Sequence, residues 1–250
     1  EVIDFYTLEE NISRRPVLAV HDLGWAVCAG INSSLVRIDK RKNNLLKVTP
    51  VSKLVDAYFE DWAIHCMALD GEFLWIGTNR GLFKYDHFNQ EIKRYRSSSR
   101  FKPGMISQSH ITDIKLDENG DLFIATLNGL NLYNRRTDDF SFIQQNSGLT
   151  NITLNCNFIN CLFQDRNCLW VGTEIGGVNL LTQGRLDTYS WQHNRMDETS
   201  LSPNAVNSIC EDRDGNLWVG TVEGGLNLKR KGENTFEHFR ADSRDSTTTK

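Results

Sequence analysis

The segment Asp212–Asn227, DRDGNLWVGTVEGGLN, decides the fold because its central word returns along the chain. LWVGT at Leu217–Thr221 is preceded by LWVGT at Leu169–Thr173, LFIAT at Leu122–Thr126 and LWIGT at Leu74–Thr78. The aromatic column Trp75, Phe123, Trp170, Trp218 therefore advances in steps of 48, 47 and 48 residues. A second column, Asp70, Asp117, Asp165, Asp212, advances by 47, 48 and 47. Two independent features that keep one period of this size mark a repeat architecture. A fainter copy lies upstream: Gly30 stands 47 residues before Gly77, Leu35 falls under Leu82, Asp39 falls under Asp86, and Cys28 takes the aromatic slot.

Each copy reads as four strands. In the third, Ile111–Leu116 alternates, Asp117–Asp121 (DENGD) supplies turn chemistry, and Leu122–Thr126 is an apolar run. Asn128-Gly129 then marks a tight turn, followed by strands over Leu130–Asn134 and Phe140–Gln144. The second strand is apolar at both parities, as a strand covered on both faces must be. Gly77, Gly172 and Gly220 follow two residues after the Trp and leave room on that face for a bulky group from an adjacent sheet. Only Leu54–Ala68 is long enough to suggest a short helix, and its tail fits a strand better.

Leucine-rich and ankyrin units are shorter and carry a helix, so four-stranded units of this period read as propeller blades. The expected fold is all-β: a β-propeller fragment with about five recognisable four-stranded blades, part of a seven-bladed ring. The blades fall at 17–50, 62–98, 106–146, 157–193 and 204–240, within a single propeller region over 1–250. Residues 1–16 are expected to supply, through Val2–Thr7, the outer strand of a neighbouring or closing blade. The tail Ala241–Lys250 echoes the inter-blade segment Asn194–Ser202, as though a further blade were about to begin.

Composition narrows the function. With 28 Lys+Arg against 32 Asp+Glu, the chain has no basic field for a phosphate backbone, so no nucleic-acid partner is expected. Apolar runs such as Pro16–Val20 fall far short of the roughly 20 residues that cross a bilayer, so any membrane link is expected through segments absent here. The opening at Glu1, without an initiator Met or signal-like regions, reads as a targeting signal already removed. Six cysteines without a CxxC pair do not make a disulfide scaffold. Cys66, Cys161 and Cys210 lie in apolar runs and are expected to be buried thiols, while Cys156 and Cys161 are the one nearby pair spaced for a bridge.

The six histidines show no HxxxH or HExxH spacing, and neither GxSxG, a catalytic Cys signature nor a Walker loop is present. No catalytic residue, metal site or cofactor is assigned. DRDGN and DENGD fail as calcium loops, since the sixth position, which an EF-hand reserves for Gly, is Leu217 or Leu122. Asp capping a turn whose Gly is left-handed explains both.

The phrases Asp212–Asn227, Phe73–Asp86 (FLWIGTNRGLFKYD) and Leu169–Asn179 (LWVGTEIGGVN) resemble the two-component regulator propeller repeat. Asp197–Val206 (DETSLSPNAV) is similar to that family's inter-blade phrase. The resemblance weakens over residues 1–60, and it departs at Ala125, which replaces the Gly, and at Cys28 and Ile31, which replace the Trp and Thr. It implies the periplasmic sensor region of a hybrid two-component receptor of gut Bacteroidetes, ahead of a β-sandwich, a membrane helix and a cytoplasmic histidine kinase. The implied signal is an oligosaccharide whose binding shifts a homodimer, which requires that one dimer arrangement bind it better.

Function on such a scaffold belongs to its loops. Turns joining second to third strands and loops crossing to the next blade emerge on one side. The turns offer Arg80, Asn128, Glu174 and Glu223; the crossing loop Trp191–Asn204 offers Trp191, His193 and Arg195, a stacking surface beside polar donors that suits a sugar ring. Arg94, Arg96, Arg100 and Lys102 favour an acidic sugar. Two other classes compete. A streptogramin-lyase-like enzyme would use His110 or His193 as base and Glu174 or Glu223 as acid, and a plain protein-interaction platform would need neither.

Overall fold

The computed structural model describes residues 17–24, 26–31, 34–40, 48–50, 63–86, 88–89, 91–98, 102, 104–145, 153–166, 168–182, 188–203 and 205–240. All regular structure in these residues is β, in five four-stranded antiparallel sheets, the blades of a β-propeller. The expected outer strand at Val2–Thr7 and the stretch before Ala63 lie outside the described residues, whereas the tail of that stretch, Ile64–Ala68, is strand.

The first sheet is β1 (Val17–Asp22), β2 (Ala26–Ile31), β3 (Ser34–Asp39) and β4 (Val48–Pro50), in that order. The second is β5 (Ile64–Asp70), β6 (Phe73–Thr78), β7 (Gly81–Asp86) and β8 (Glu91–Tyr95). β9 (Ile111–Leu116) begins the third, which continues with β10 (Leu122–Thr126), β11 (Gly129–Asn134) and β12 (Asp139–Ile143). The fourth is β13 (Ile159–Asp165), β14 (Cys168–Thr173), β15 (Val178–Thr182) and β16 (Thr188–Trp191). The fifth is β17 (Val206–Glu211), β18 (Leu217–Thr221), β19 (Gly225–Lys229) and β20 (Phe236–Phe239). The chain forms two compact units, Glu1–Leu116 and Asp117–Lys250.

Each repeated residue has a physical task. The Asp closes the turn between first and second strands. Asp212 Oδ1 accepts from the amides of Asp214 (3.0 Å) and Asn216 (2.9 Å), and its Oδ2 accepts from Asn216 Nδ2 (3.0 Å) and the Trp218 indole (3.0 Å). The bond from Trp218 leads this set, which holds the carboxyl down at about 2. Asp117 Oδ1 accepts from the amides of Asn119 (2.9 Å) and Asp121 (2.7 Å). Gly120 and Gly215 stand at φ of 85° and 83°, a region closed to most side chains. The Thr closes the next turn: Thr78, Thr126 and Thr173 each donate a hydroxyl to the carbonyl of Gly81, Gly129 or Gly177 at 2.8 Å. The amides of Arg80, Asn128 and Gly176 donate back to those hydroxyls, so these buried polar side chains are satisfied.

The Gly column lets neighbouring sheets approach. In the first unit, a Cβ on Gly30 would stand 2.7 Å from Ile64 Cγ2, and one on Gly77 would stand 2.6 Å from Ile111 Cγ2. In the second unit, a Cβ on Gly172 would stand 2.6 Å from Val206 Cγ1. Each slot is therefore filled by a β-branched side chain that opens the next sheet. The first strands carry a matching irregularity, between Ile64 and Cys66, Ile159 and Cys161, and Val206 and Ser208. Such a bulge re-aims the entry residue.

The cysteines require a correction. Cys66 and Cys161 are buried, but Cys210, on β17, is exposed. Cys156 and Cys161 are both free thiols, not a bridge. Burial raises the Cys28 thiol to about 11 and drives the Cys66 thiol well above its ordinary value.

Candidate functional site

The turns between second and third strands are tied to the chain that enters or leaves each sheet. The amide of Asn79 donates to Ala63 O (3.2 Å), Glu174 to Phe158 O (3.0 Å) and Val222 to Ala205 O (2.9 Å). The amide of Gly129 donates to Asn157 O (2.8 Å). Each of these turns thus lies beside the end of a crossing loop, on the side where the sequence places recognition.

Two buried columns, unread in the sequence, fix where the crossing loops land. Ile106, Leu154 and Leu201 are spaced by 48 and 47 residues and are 1–2% exposed. Leu201 sits in a core cluster with Trp170, Val206 and Phe236. Asn131, Asn179 and Asn227 are spaced by 48 residues and fully buried. Asn227 Oδ1 accepts from the Ser202 amide (3.0 Å) while its Nδ2 donates to Val219 O (3.1 Å). Asn179 holds Asn155 in the same way, accepting from its amide at 3.2 Å and donating to its Oδ1 at 2.8 Å. A buried amide that spends its groups on loop backbone specifies one loop position.

Between the crossing loop of residues 192–205 and the end of β20 lies a cleft of about 380 Å³. His193, Arg195, Asp197 and Glu198 line it from the loop, and His238 and Arg240 from the strand end. The loop closes on itself: the Asn194 amide donates to Ser200 Oγ (2.9 Å), and that hydroxyl bonds Asp197 O (2.7 Å). Asp197 Oδ1 accepts from the Thr199 hydroxyl (2.7 Å) and amide (3.0 Å), which together hold its carboxyl below its ordinary value. His238 Nε2 lies 2.8 Å from Ser200 O and His193 Nδ1 lies 3.0 Å from Leu201 O. A carbonyl only accepts, so each of these ring nitrogens carries the proton and the other edge of each imidazole is left for a ligand. Gly224 seats the neighbouring turn against the loop, since a Cβ there would stand 2.9 Å from Pro203 O.

Of the candidates, His193 and Arg195 share this cleft, and Glu223 sits at φ 56° on the turn beside it. Trp191 does not join them. It packs on Trp170 (centroids 5.4 Å apart) with the Lys229 ammonium over its ring at 5.1 Å. Glu174 is exposed on the turn after β14, where it accepts from Asn160 Nδ2 (2.9 Å). Asn128 is exposed on the turn after β10, its carbonyl bonded by Gln144 Nε2 (2.7 Å). In the first unit, Arg80 O accepts from Arg94 Nη2 (2.7 Å), and burial with the nearby Arg96 and Arg80 charges holds the Arg94 guanidinium below its ordinary value. His110 packs at a tilt against His65, with ring centroids 4.9 Å apart. Among the described residues, no group of three His, Cys, Asp or Glu side chains gathers as a metal site.

The fold defines a β-propeller, and comparison with known proteins gives it company. The two-component regulator propeller family model matches residues 153–174 and 200–223. The extracellular domain of a hybrid two-component system from B. thetaiotaomicron is similar at TM-score 0.75 and 20% identity, over 98% of this chain and 30% of that one. The extracellular domain of a second such system from the same organism gives 0.56 at 16% identity, over 92% and 35%. Virginiamycin B lyase from Staphylococcus aureus gives 0.61 at 13% identity, over 90% and 70%. The chain thus spans about a third of the length of the two-component relatives. No curated protein matches the sequence.

Proposed function

We propose that the chain is part of the extracytoplasmic sensor region of a hybrid two-component receptor, and that it recognises an oligosaccharide on the border of turns and crossing loops. The observation that carries the reading is the polar cleft built by the loop that runs between the two matched repeats, 153–174 and 200–223. The structural likeness to two-component extracellular domains supports a sensor role. It also supports a periplasmic location for this part of the receptor. Signalling would run through a homodimer to a cytoplasmic histidine kinase, with the ligand favouring one dimer arrangement. The exposure of Leu226 and Phe239 on the fifth sheet, among the described residues, supports reading these sheets as part of a larger propeller.

The test is isothermal calorimetry of the chain against a panel of oligosaccharides, with chromatography of each mixture and a kinase-dependent reporter in cells that carry the whole receptor. Saturable binding without product, together with reporter induction by the same saccharide, is the expected result. Conversion of the saccharide would move the chain to the lyase class, and silence of binding and reporter would leave a protein-interaction platform.

A further inference from the structure

The cleft at the β16–β17 crossing loop has a composition that selects a ligand. All its lining residues except Pro203 are polar or charged, so an apolar molecule has nothing to bury against. Its volume, about 380 Å³, lies at the small end of the range for ligand pockets, roughly 300–1,000 Å³, and suits one or two sugar rings.

The charges are unevenly committed. Asp197 spends its Oδ1 on Thr199 and is part of the loop's own framework. Among the described residues the two guanidiniums have no comparable engagement. Arg240 reaches only the Ser202 hydroxyl, at 3.5 Å, and neither Arg195 nor Arg240 forms a salt bridge among the described residues. Two planar five-donor groups in one cleft, with carboxylates nearby that they do not pair, are equipped for an incoming carboxylate.

The same wall limits how much negative charge can enter. Arg195 and Arg240 balance Asp197 and Glu198, so the cleft carries no excess of formal positive charge. A phosphate dianion would meet two fixed acids without a surplus cation, whereas a monoanion that also presents hydroxyls would use both signs. Asn194, Glu198 and the outward edges of the two imidazoles supply donors and acceptors for those hydroxyls. The loop is held in place before any ligand arrives by Leu201, by Asn227 and by the two histidines on consecutive carbonyls. Preformed geometry lowers the ordering cost of binding.

We propose that this cleft binds the carboxylate-bearing ring of an acidic sugar, a uronic acid, with Arg195 and Arg240 on the carboxylate and the acids, amide and imidazoles on the hydroxyls. The assignment rests on the saccharide-sensing reading above and names the class of saccharide.

Its test is calorimetry of the chain with a galacturonate disaccharide, the matching galactose disaccharide and inorganic phosphate. The galacturonate disaccharide should bind at least tenfold more tightly than the neutral one, and phosphate should not displace it. Arg195→Gln and Arg240→Gln, both at exposed positions, should each weaken the acidic sugar by tenfold or more, with the thermal midpoint unmoved. Equal affinity for the two disaccharides, competition by phosphate, or Arg variants that bind like the parent would overturn the assignment. If a neutral oligosaccharide binds and induces the reporter while galacturonate does neither, the cleft assignment fails and the sensor reading stands. If galacturonate binds through both arginines but is turned over, the sensor reading fails and the cleft remains.

Discussion

The fourth and fifth sheets are spelled with the same word, LWVGT, and live in different surroundings. On the fourth, the slot over Gly172 is filled by Cys161 Sγ and Val206 Cγ1, and Trp170 is only 9% exposed. On the fifth, the three atoms nearest a Cβ on the corresponding Gly220 all belong to Ser208 of its own sheet. Cys210, Leu226 and Phe239 lie uncovered on that side, the last two 40% and 48% exposed. The tryptophans differ to match. Trp218 donates its indole to Asp212, whereas buried Trp170 Nε1 has no acceptor. In the fourth sheet the repeat's acid, Asp165, interacts with Glu211 instead; burial, then Asp165, raises the Glu211 carboxyl. The comparison teaches that a repeated residue is specified for a neighbour, and that its energetic weight appears only where the neighbour is present.

The sharpest way to break the comparison is at the two glycines. Gly172→Ala forces a methyl against packed Cys161 and Val206 and should cost about 2 kcal/mol in urea unfolding. Gly220→Ala meets first a rotatable serine hydroxyl and should stay within about 0.5 kcal/mol of the parent. Val206→Ala placed in the Gly172→Ala chain should return part of the loss through a coupling of about 1 kcal/mol. Equal effects at both glycines would refute the account of the slot.

Next is the uncovered face. Apolar sheet surface of this kind promotes association, so sedimentation of the isolated chain should show concentration-dependent oligomers that Leu226→Lys with Phe239→Lys dissolves. A parent chain that stays monomeric at high concentration would remove the argument. Thiol chemistry gives a smaller contrast: maleimide, followed by mass spectrometry, should modify exposed Cys210 well before buried Cys28, Cys66 and Cys161. Simultaneous modification would mean that the seams open readily.

The smallest effect is expected from Asp212→Asn on the exposed turn of the fifth sheet. Because the folded carboxyl sits near 2 against an ordinary 3.8, its stabilisation is present above the ordinary value and lost as pH falls through the folded one. The variant's thermal midpoint should therefore lie below the parent's at neutral pH and converge with it as the pH drops from about 4 to about 2. A gap that persists in acid would assign the loss to geometry and not to charge.

Much of the fold was legible because Trp, Gly, Asp and Thr repeat for reasons confined to one sheet or one seam. The third copy shows this: strands read at Ile111–Leu116 and Leu122–Thr126 are the strands observed. The candidate cleft was legible only in part. His193 and Arg195 stand in the loop where the sequence puts them, but His238 and Arg240 reach the cleft because β20 pairs with β19 and ends beside the loop. No linear spacing announces that meeting. Trp191 misled for the opposite reason: its place in the loop suggests an open platform, while its position opposite Val178 at the end of β16 turns the ring onto Trp170. Cys210 misled because an apolar run implies cover, whereas its side chain is exposed among the described residues.

The buried Asn227 has a consequence for how such a protein changes over generations. Since a core amide pins the strand-entry end of the loop through Ser202, the exposed positions Arg195, Met196 and Glu198 can be rewritten without disturbing what lies beneath. A chain built this way can trade one recognised molecule for another by exchanging a short cassette, keeping its chassis intact.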